Sequence, residues 1–183
     1  WFKPHDINQR GGGVMGIQGP GDFFDTIVLG ERKHRHWISG SNGHSRTLDF
    51  PGSTPEQKSG EMLHLVMVYK EDGTTTLFRN GTPYGKPYRK GKATFPRNKT
   101  SVIFGLRHLP AGGNKYLSIS IDKARLYNRA LVAGEVQASN SGRNLYVSDR
   151  DLTAALDGAQ KKSKTEFLKK IKASENAIKK IPK

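Results

Sequence analysis

Apolar and polar residues alternate in short windows along most of the chain, and turn-forming residues separate the windows. The windows lie at 13–19, 23–30, 36–40, 46–50, 62–69, 75–81, 101–106 and 118–127. Alternation with a period of two predicts half-buried strands, and strands recurring about every ten residues are typical of a sandwich or barrel. The pattern therefore predicts an all-β domain.

The clearest local unit is the segment VMVYKEDGTTTLFRNGTPY at 66–84. Asp72-Gly73 and Asn80-Gly81 are residue pairs that tolerate the positive φ angles of tight hairpin turns. Two such turns around the strand that contains Leu77 and Phe78 predict a β-meander.

The pattern changes after residue 127. The segment NRALVAGEVQAS at 128–139 predicts a short helix whose Leu131, Val132 and Val136 face inward. A polar linker over 140–147 follows, so we place the β-domain at 1–139.

A helical arm is predicted over 148–183. Ser148 suits an N-cap, and Asp151 stands at the third position of a capping box. Apolar residues recur at three- and four-residue spacing, at Leu152, Leu156, Ala159, Phe167, Ile171 and Ile178. Such a narrow stripe on a lysine-rich helix cannot form its own core. We expect it to pack on the β-domain, on another chain or on the rest of a larger protein, and the chain's start at Trp1 favours such a parent protein.

Charge and cysteine content narrow the function classes. The 183 residues contain no cysteine, which excludes disulfides, thiolate zinc sites and a cysteine nucleophile. The net charge is +15, of which the short segment 150–183 supplies +6, and the remaining +9 lies over 149 residues without an arginine-rich motif. Nucleic acid is therefore not the partner we expect. The sequence also has no apolar run of the length that spans a bilayer.

Several segments resemble a known family. Asn80-Gly81, Ile121-Asp122, the run RLYNRAL at 125–131 and Glu135 are similar to the closing part of a laminin-G-like domain of the concanavalin A-like lectin/glucanase superfamily. The resemblance covers about residues 1–140 and implies a jelly-roll β-sandwich with a short helix, in an extracytoplasmic protein (periplasmic or secreted). Met62 stands where the family has Trp, and Lys123 stands where an acid usually follows Asp122.

A narrower resemblance rests on FDTIVLGER at 24–32, WISGSNGHSRT at 37–47, VIFGLRHLPAGGN at 102–114 and YVSDRDLTAAL at 146–156. These segments resemble the laminin-G-like insert of planctomycete cytochrome-type multidomain proteins. In those proteins a helical segment follows the module, which agrees with the predicted arm.

Asp122 stands where the side-chain alternation changes phase. Ile119 and Ile121 occupy odd positions, whereas the next apolar residues occupy even ones. This predicts a bulge at 122–123, or a strand covered on both faces. We expect a structural role for Asp122, in which its carboxylate accepts hydrogen bonds from backbone N–H groups or from Arg125 or Arg129.

The carboxylates give no catalytic pattern. A retaining glycosidase needs two carboxylates about 5–5.5 Å apart, which alternate positions of one strand supply. The sequence has no E-x-D-x-E run, and it leaves Asp122 without an acidic neighbour. We therefore expect a protein that is not an enzyme, and a glycoside hydrolase is the least favoured alternative.

Metal binding has two candidate sources. His34 and His36 share a strand face and His44 lies nearby, but the cationic neighbours in ERKHRHW oppose a zinc ion. The resemblance implies calcium in rim loops, yet the loops at 40–47 and 107–116 contain no acid. We predict no cofactor, with calcium as the alternative.

Two glycine-rich loops hold the residue types that bind sugars. The candidate ligand-binding residues are Trp37, Asn42, His44, Arg107, His108, Asn114 and Tyr116. The competing interpretation puts Trp37 in the core and treats the others as ordinary loop residues. The sequence thus predicts a non-catalytic module that recognises a carbohydrate or protein, with a structural spacer whose arm mediates assembly as the alternative.

Overall fold

The computed structural model describes residues 1–112, 116–141 and 153–179. It divides the chain into two compact units, Trp1–Arg143 and Asn144–Lys183. The first unit contains the β-strands and one helix, and the second contains a long helix. The candidate residues Asn114, Ser148, Asp151 and Leu152 lie outside the described residues.

The first unit is built from antiparallel strands. The described strands are β1 (Phe2–Pro4), β2 (Gly12–Gln18), β3 (Phe24–Leu29), β4 (Trp37–Ser41), β5 (Leu65–Tyr69), β6 (Thr74–Arg79), β7 (Thr82–Pro83), β8 (Tyr88–Arg89), β9 (Ser101–Phe104) and β10 (Ile119–Ile121). The helices are α1 (Ala133–Asn140) and α2 (Gly158–Lys179), and a 3-10 turn spans Asn42–His44. The prediction of an all-β sandwich domain is confirmed.

The strands form two main sheets. The first has the order β4-β3-β2-β9, and the second joins β5 to β6, which also pairs with β7 and β8. Strand β1 pairs with β10, and the bridge between Phe2 and Leu63 places β1 beside the approach to β5. The inner faces of the sheets together form the hydrophobic core. Its buried members are Phe2, Val14, Leu29, Trp37, Phe50, Leu63, Leu77, Tyr84, Tyr88 and Leu117.

The predicted meander is confirmed. Asn80 and Gly81 have φ angles of 50° and 80° and form the two-residue loop between β6 and β7. Positive φ at both loop positions is the requirement of a type I′ hairpin. Gly73, with φ at 82°, makes the turn between β5 and β6.

One strand prediction is wrong, and another is correct only in part. Residues 46–50 form no strand, although Thr47 and Phe50 are buried and Leu48 is exposed. Side-chain hydrogen bonds hold this segment in place of the backbone bonds that pair two strands. The Thr47 hydroxyl donates to the Ser39 carbonyl at 2.7 Å. The last strand ends at Ile121 instead of running to residue 127, so the change of phase marks a strand end and not a bulge.

Helix α1 is shorter than the predicted 128–139 and packs on the outer face of the second sheet. Leu131 and Val136 are buried against Val68 and Phe78, as predicted for the two inward positions. Val132 is 65% exposed, which corrects its predicted inward orientation. It stands just before the helix, where its N–H donates to the Glu135 carboxylate at 2.9 Å.

Helix α2 carries its apolar side chains on the surface of its own unit. Phe167, Ile171 and Ile178 are all exposed. Asp157 caps the helix, since its carboxylate accepts from the Gln160 N–H at 2.8 Å and the Gln160 side chain accepts from the Asp157 N–H at 3.0 Å. Within the described part of the chain, neither helix is long and apolar enough to cross a membrane.

Candidate ligand-binding site

Residues 105–109 form a loop that lies on the outer face of the first sheet. The Thr26 hydroxyl donates to the Arg107 carbonyl at 2.7 Å. The Gln18 side chain donates to the Leu109 carbonyl and accepts from the Leu109 N–H, both at 2.6 Å. This pair of bonds imitates the pairing of two strands, and it fixes the loop to β2 and β3.

The absence of a side chain at Gly13 makes this approach possible. A Cβ atom there would lie 2.4 Å from the Leu106 carbonyl oxygen and 2.6 Å from the Thr26 methyl group. Glycine at a strand position commonly marks such a close backbone approach.

The loop presents a polar cluster that we call the Arg107 cluster: Glu31, His44, Arg107 and His108. The Arg107 guanidinium forms an ion pair with the Glu31 carboxylate. The His44 Nε2 atom lies 3.6 Å from the same carboxylate oxygen, and Arg107 Nη2 lies 3.3 Å from His108 Nε2. The Arg107 side chain is 27% exposed, so a guanidinium with a fixed position still reaches solvent.

His108 has a more structural environment than Arg107. Its ring stacks on Phe24 with centroids 5.0 Å apart, and its Nδ1 atom lies 3.8 Å from an Asp22 carboxylate oxygen. The stacking fixes the imidazole over the sheet and leaves only its edge for other contacts.

Asn42 belongs to a neighbouring buried ion pair. Arg46 donates to the Asp25 carboxylate at 3.0 Å, to the Asn42 side-chain oxygen at 3.0 Å and to the Phe24 carbonyl at 3.0 Å. Burial raises the pKa of Asp25, and the hydrogen bonds from Arg46 oppose that rise. Asn42 therefore helps to position Arg46 instead of facing a ligand.

Trp37 is not a sugar platform. The residue is 0% exposed, and its ring meets Phe2 edge-to-face with centroids 5.6 Å apart. Its indole N–H donates to the carboxylate of Glu56 at 2.7 Å. The competing interpretation of Trp37 as a core residue is therefore the correct one.

Tyr116 offers an exposed ring. It is 61% exposed, and its carbonyl accepts a hydrogen bond from the Gln9 side chain. No contact joins it to the Arg107 cluster among the residues that the structure describes. Of the seven predicted ligand-binding residues, the structure brings together His44, Arg107 and His108.

A laminin-G family model of the concanavalin A-like lectin/glucanases superfamily matches residues 1–137. The chain belongs to this superfamily. No curated protein sequence matches the chain significantly. The narrower resemblance to planctomycete multidomain proteins stays a prediction.

One solved structure has a similar fold, and a second is similar at a lower score. A Trypanosoma rangeli sialidase in complex with 2,3-difluorosialic acid is 18% identical, with a TM-score of 0.50 over 76% of this chain. The match spans 21% of the sialidase chain, so it concerns one part of that protein. The S-layer domain-containing protein from Clostridium thermocellum ATCC 27405 is 20% identical, with a TM-score of 0.41 over 74% of this chain and 64% of that one.

The sequence analysis missed Glu31, Gln18 and Thr26, which hold the site together. Glu31 is the second residue after the end of β3, in the segment VLGER, and a carboxylate just beyond a strand is the signal that could have found it. No comparable signal marks Gln18, because its partner Leu109 lies 91 residues away in the sequence.

The predicted partners of Asp122 are engaged elsewhere. The Arg125 guanidinium lies 5.1 Å from the centre of the Trp1 ring, and Arg129 pairs with Glu135 at 2.6 Å. The Asp122 backbone N–H donates to the Trp1 carbonyl at 2.9 Å. In the described ranges, no group of three His, Cys, Asp or Glu side chains could hold a metal ion. Carbonyl oxygens also bind calcium, so calcium stays the alternative stated above.

Proposed function

We propose that the chain is a non-catalytic recognition module of the concanavalin A-like superfamily, which binds a carbohydrate or protein ligand through the Arg107 cluster. The observation that carries this proposal is the guanidinium of Arg107, which is fixed by Glu31 and a fastened loop but still reaches solvent. A donor that is already ordered binds a ligand at a lower cost in conformational entropy than a free side chain does.

The carboxylates favour recognition over hydrolysis. Glycosidases of the retaining class use one free carboxylate as nucleophile and a second carboxyl as acid. Here Asp25 is bonded to Arg46 and Glu31 is bonded to Arg107. A carboxylate neutralised by a guanidinium is a poor nucleophile and a poor proton donor.

Laminin-G-like domains typically occur outside the cell, and we place the module in an extracytoplasmic protein on that ground. The exposed apolar stripe of α2 supports association with a partner or with the rest of a larger protein. A structural spacer is the second candidate, and the same exposed stripe favours it.

A glycan array followed by isothermal titration of each hit tests the proposal. Arg107→Ala should weaken binding of a hit at least tenfold, because the substitution removes an ordered charged donor. Arg97→Ala is the matched control, since Arg97 is exposed and its side chain forms no hydrogen bond or ion pair within the described structure. Undiminished binding by a folded Arg107→Ala variant would contradict the site. Hydrolysis of an array sugar would contradict the non-catalytic role.

A further inference from the structure

Among the strands that the structure describes, none covers one edge of β5 along its length. The backbone N–H and C=O groups of its even-numbered residues point to β6. Two bonds in the same register show this, from the Lys70 N–H to the Thr74 carbonyl at 2.9 Å and from the Asn80 N–H to the His64 carbonyl at 2.8 Å. Its odd residues therefore direct their backbone groups to the opposite edge.

Strand β1 covers only the start of that edge. The N–H groups of Phe2 and Leu63 each donate to the carbonyl of the other, at 3.0 and 2.8 Å. Leu65, Met67 and Tyr69 continue the same edge, and within the described residues their backbone groups have no backbone partner there. Three donor–acceptor pairs thus face one direction in a row.

A cleft of about 700 Å³ lies beside this edge. One wall is β5 with Met67, the other is the segment 123–131, and the floor comes from the inner face of the first sheet with Ile17 and Ile27. Most of the lining side chains are apolar. Trp1 and Phe2, at the end of β1, close one end of the cleft.

The cleft has the volume of a short strand. A strand advances about 3.3 Å per residue, strands lie about 4.8 Å apart and layers lie about 10 Å apart, which gives roughly 160 Å³ per residue. The cleft therefore accommodates about four to five residues of strand. The open edge from Leu65 to Tyr69 has the same length.

The charges around the cleft favour an acidic occupant. Lys70, Lys123 and Arg125 line it, and within the described part of the chain none of them is in an ion pair with a carboxylate. The two acids of the lining are already neutralised, because Glu71 pairs with Lys92 and Asp25 pairs with Arg46. The Tyr127 hydroxyl in the lining is buried, and no described residue forms a hydrogen bond with it.

We propose that this cleft binds an extended segment of a partner protein by strand addition, antiparallel to β5 and in line with β1. The segment alternates apolar residues, which face the floor, with acidic residues, which face the basic rim. An α-helix is too wide for a gap between strands and offers no backbone groups to Leu65, Met67 and Tyr69. The cleft shares no residue with the Arg107 cluster, so this second binding site is independent of the function proposed above.

The geometry determines which residues of the bound segment direct their backbone amides to β5. Residues directly opposite one another in an antiparallel pair point to the same face of the sheet. The side chains of Leu65 and Met67 pack against the inner core, so the apolar residues of the segment must lie opposite them. The backbone amides of the apolar residues therefore bond to β5, and the amides of the acidic residues point away.

Amide hydrogen exchange, followed by NMR with a blocked heptapeptide of alternating valine and glutamate, tests the proposal. In the chain alone, the amides of Leu65, Met67 and Tyr69 should exchange much faster than those of Val66 and Val68. Saturating peptide should slow the three odd amides at least tenfold and leave the even ones unchanged. N-methylation of the valines should abolish this protection, whereas N-methylation of the glutamates should leave it.

A proline variant gives a second test. Met67→Pro removes a donor that points into the cleft and leaves the bonds from β5 to β6 intact, which an edge strand tolerates. It should lower peptide affinity at least tenfold. Val102→Pro is the matched control, because the Val102 amide also points away from the neighbouring strand but lies outside the cleft. If the Met67→Pro variant fails to fold, the two methylated peptides still decide the question.

Three outcomes would overturn the proposal. The first is equal protection by both methylated peptides, or no protection at millimolar peptide. The second is protection of the odd amides that rises with protein concentration alone, which would make a second copy of the chain the occupant. The third is full protection of these amides in the isolated monomer, which would mean that the chain itself closes the edge.

Discussion

The outer face of the first sheet and the free edge of β5 satisfy their polar groups in opposite ways. On the outer face, the Gln18 side chain and the Thr26 hydroxyl bond to the backbone of the covering loop at 2.6–2.7 Å. At the edge, the backbone groups of Leu65, Met67 and Tyr69 have no backbone partner in the described structure. The first region is closed by the chain's own side chains, and the second is available to a partner.

Two buried polar side chains repeat this contrast. Glu56 is 2% exposed and accepts bonds from the Trp37 indole and from two nitrogens of Arg79, all at 2.7 Å. His64 is also buried, and within the described residues neither ring nitrogen makes a hydrogen bond of good geometry, although the nearby Asn140 side chain raises its pKa slightly against the larger effect of burial. A partnered buried group stabilises the fold, whereas an unpartnered one in a cleft lining costs stability that a ligand could recover.

The largest expected effect comes from removing the charged partner of the buried Glu56 carboxylate. Arg79→Ala should lower the free energy of unfolding by about 3 kcal/mol, because it leaves a buried carboxylate without its charge partner. Urea denaturation followed by tryptophan fluorescence measures the change. Arg32→Ala, which breaks the solvent-exposed pair with Asp49, should cost less than about 1 kcal/mol. Equal losses in the two variants would show that burial does not decide the value of these pairs.

A smaller effect should follow from forcing the loop off the first sheet. Gly13→Ala places a methyl group 2.4 Å from the Leu106 carbonyl oxygen, so the loop backbone must move. We expect a loss of about 1–3 kcal/mol, the usual cost of overpacking, and faster exchange of the Leu109 amide. Gly43→Ala is the control, because the added methyl group meets no other atom there. Its φ of 55° adds backbone strain but no steric clash. Unchanged protection of Leu109 in Gly13→Ala would mean that the loop is not held by this contact.

The sequence predicted the strands whose apolar and polar residues alternate strongly. The prediction was wrong where side-chain hydrogen bonds take the place of backbone pairing between strands. The meander and the paired strands of the first sheet follow from a period of two and from turn residues with positive φ. Residues 46–50 alternate in sequence, but their buried positions are Thr47 and Phe50, three apart, and the Thr47 hydroxyl bonds to Ser39 where no strand pairing forms. Strand β1 escaped prediction because three residues are too few to show a period.

The site was predicted by residue type but not by arrangement. Arg107, His44 and His108 were chosen for their chemistry, and only the structure shows that Glu31 joins the first two. Trp37 was chosen as an aromatic platform for a sugar. Its residue type alone does not show that the ring is buried and that its indole N–H bonds to Glu56. The open edge of β5 is invisible in the sequence, because an unpaired edge depends on which strands are absent beside it.

A pH titration tests the buried His64 beside that open edge. Burial lowers the pKa of His64 to about 4 from 6.5, so the unfolded chain takes up this proton before the folded one does. The contribution of His64 to stability is therefore present above pH 6.5 and is lost as the pH falls toward 4. We expect a slope below the one-proton limit of about 1.4 kcal/mol per pH unit, and His64→Phe should remove it. NMR titration of the ring gives the pKa directly, and a value near 6.5 would contradict its burial.

The smallest expected effect concerns the segment that forms the second wall of the cleft. The guanidinium of Arg129 and the N–H of Val132 lower the pKa of Glu135 to about 2 from 4.5. Because the folded pKa lies below the unfolded one, this stabilisation is present above pH 4.5 and is lost as the pH falls through about 2. The carboxylate is exposed, so 1 M salt should weaken the effect. Urea denaturation between pH 2 and 5 should show a shallower slope for Glu135→Gln and, to a similar extent, for Arg129→Gln. If Glu135→Gln changes the slope and Arg129→Gln does not, the low pKa of Glu135 comes from the Val132 N–H at the start of α1. The segment that forms the wall of the cleft would then be held by its connection to α1, without the ion pair to Arg129.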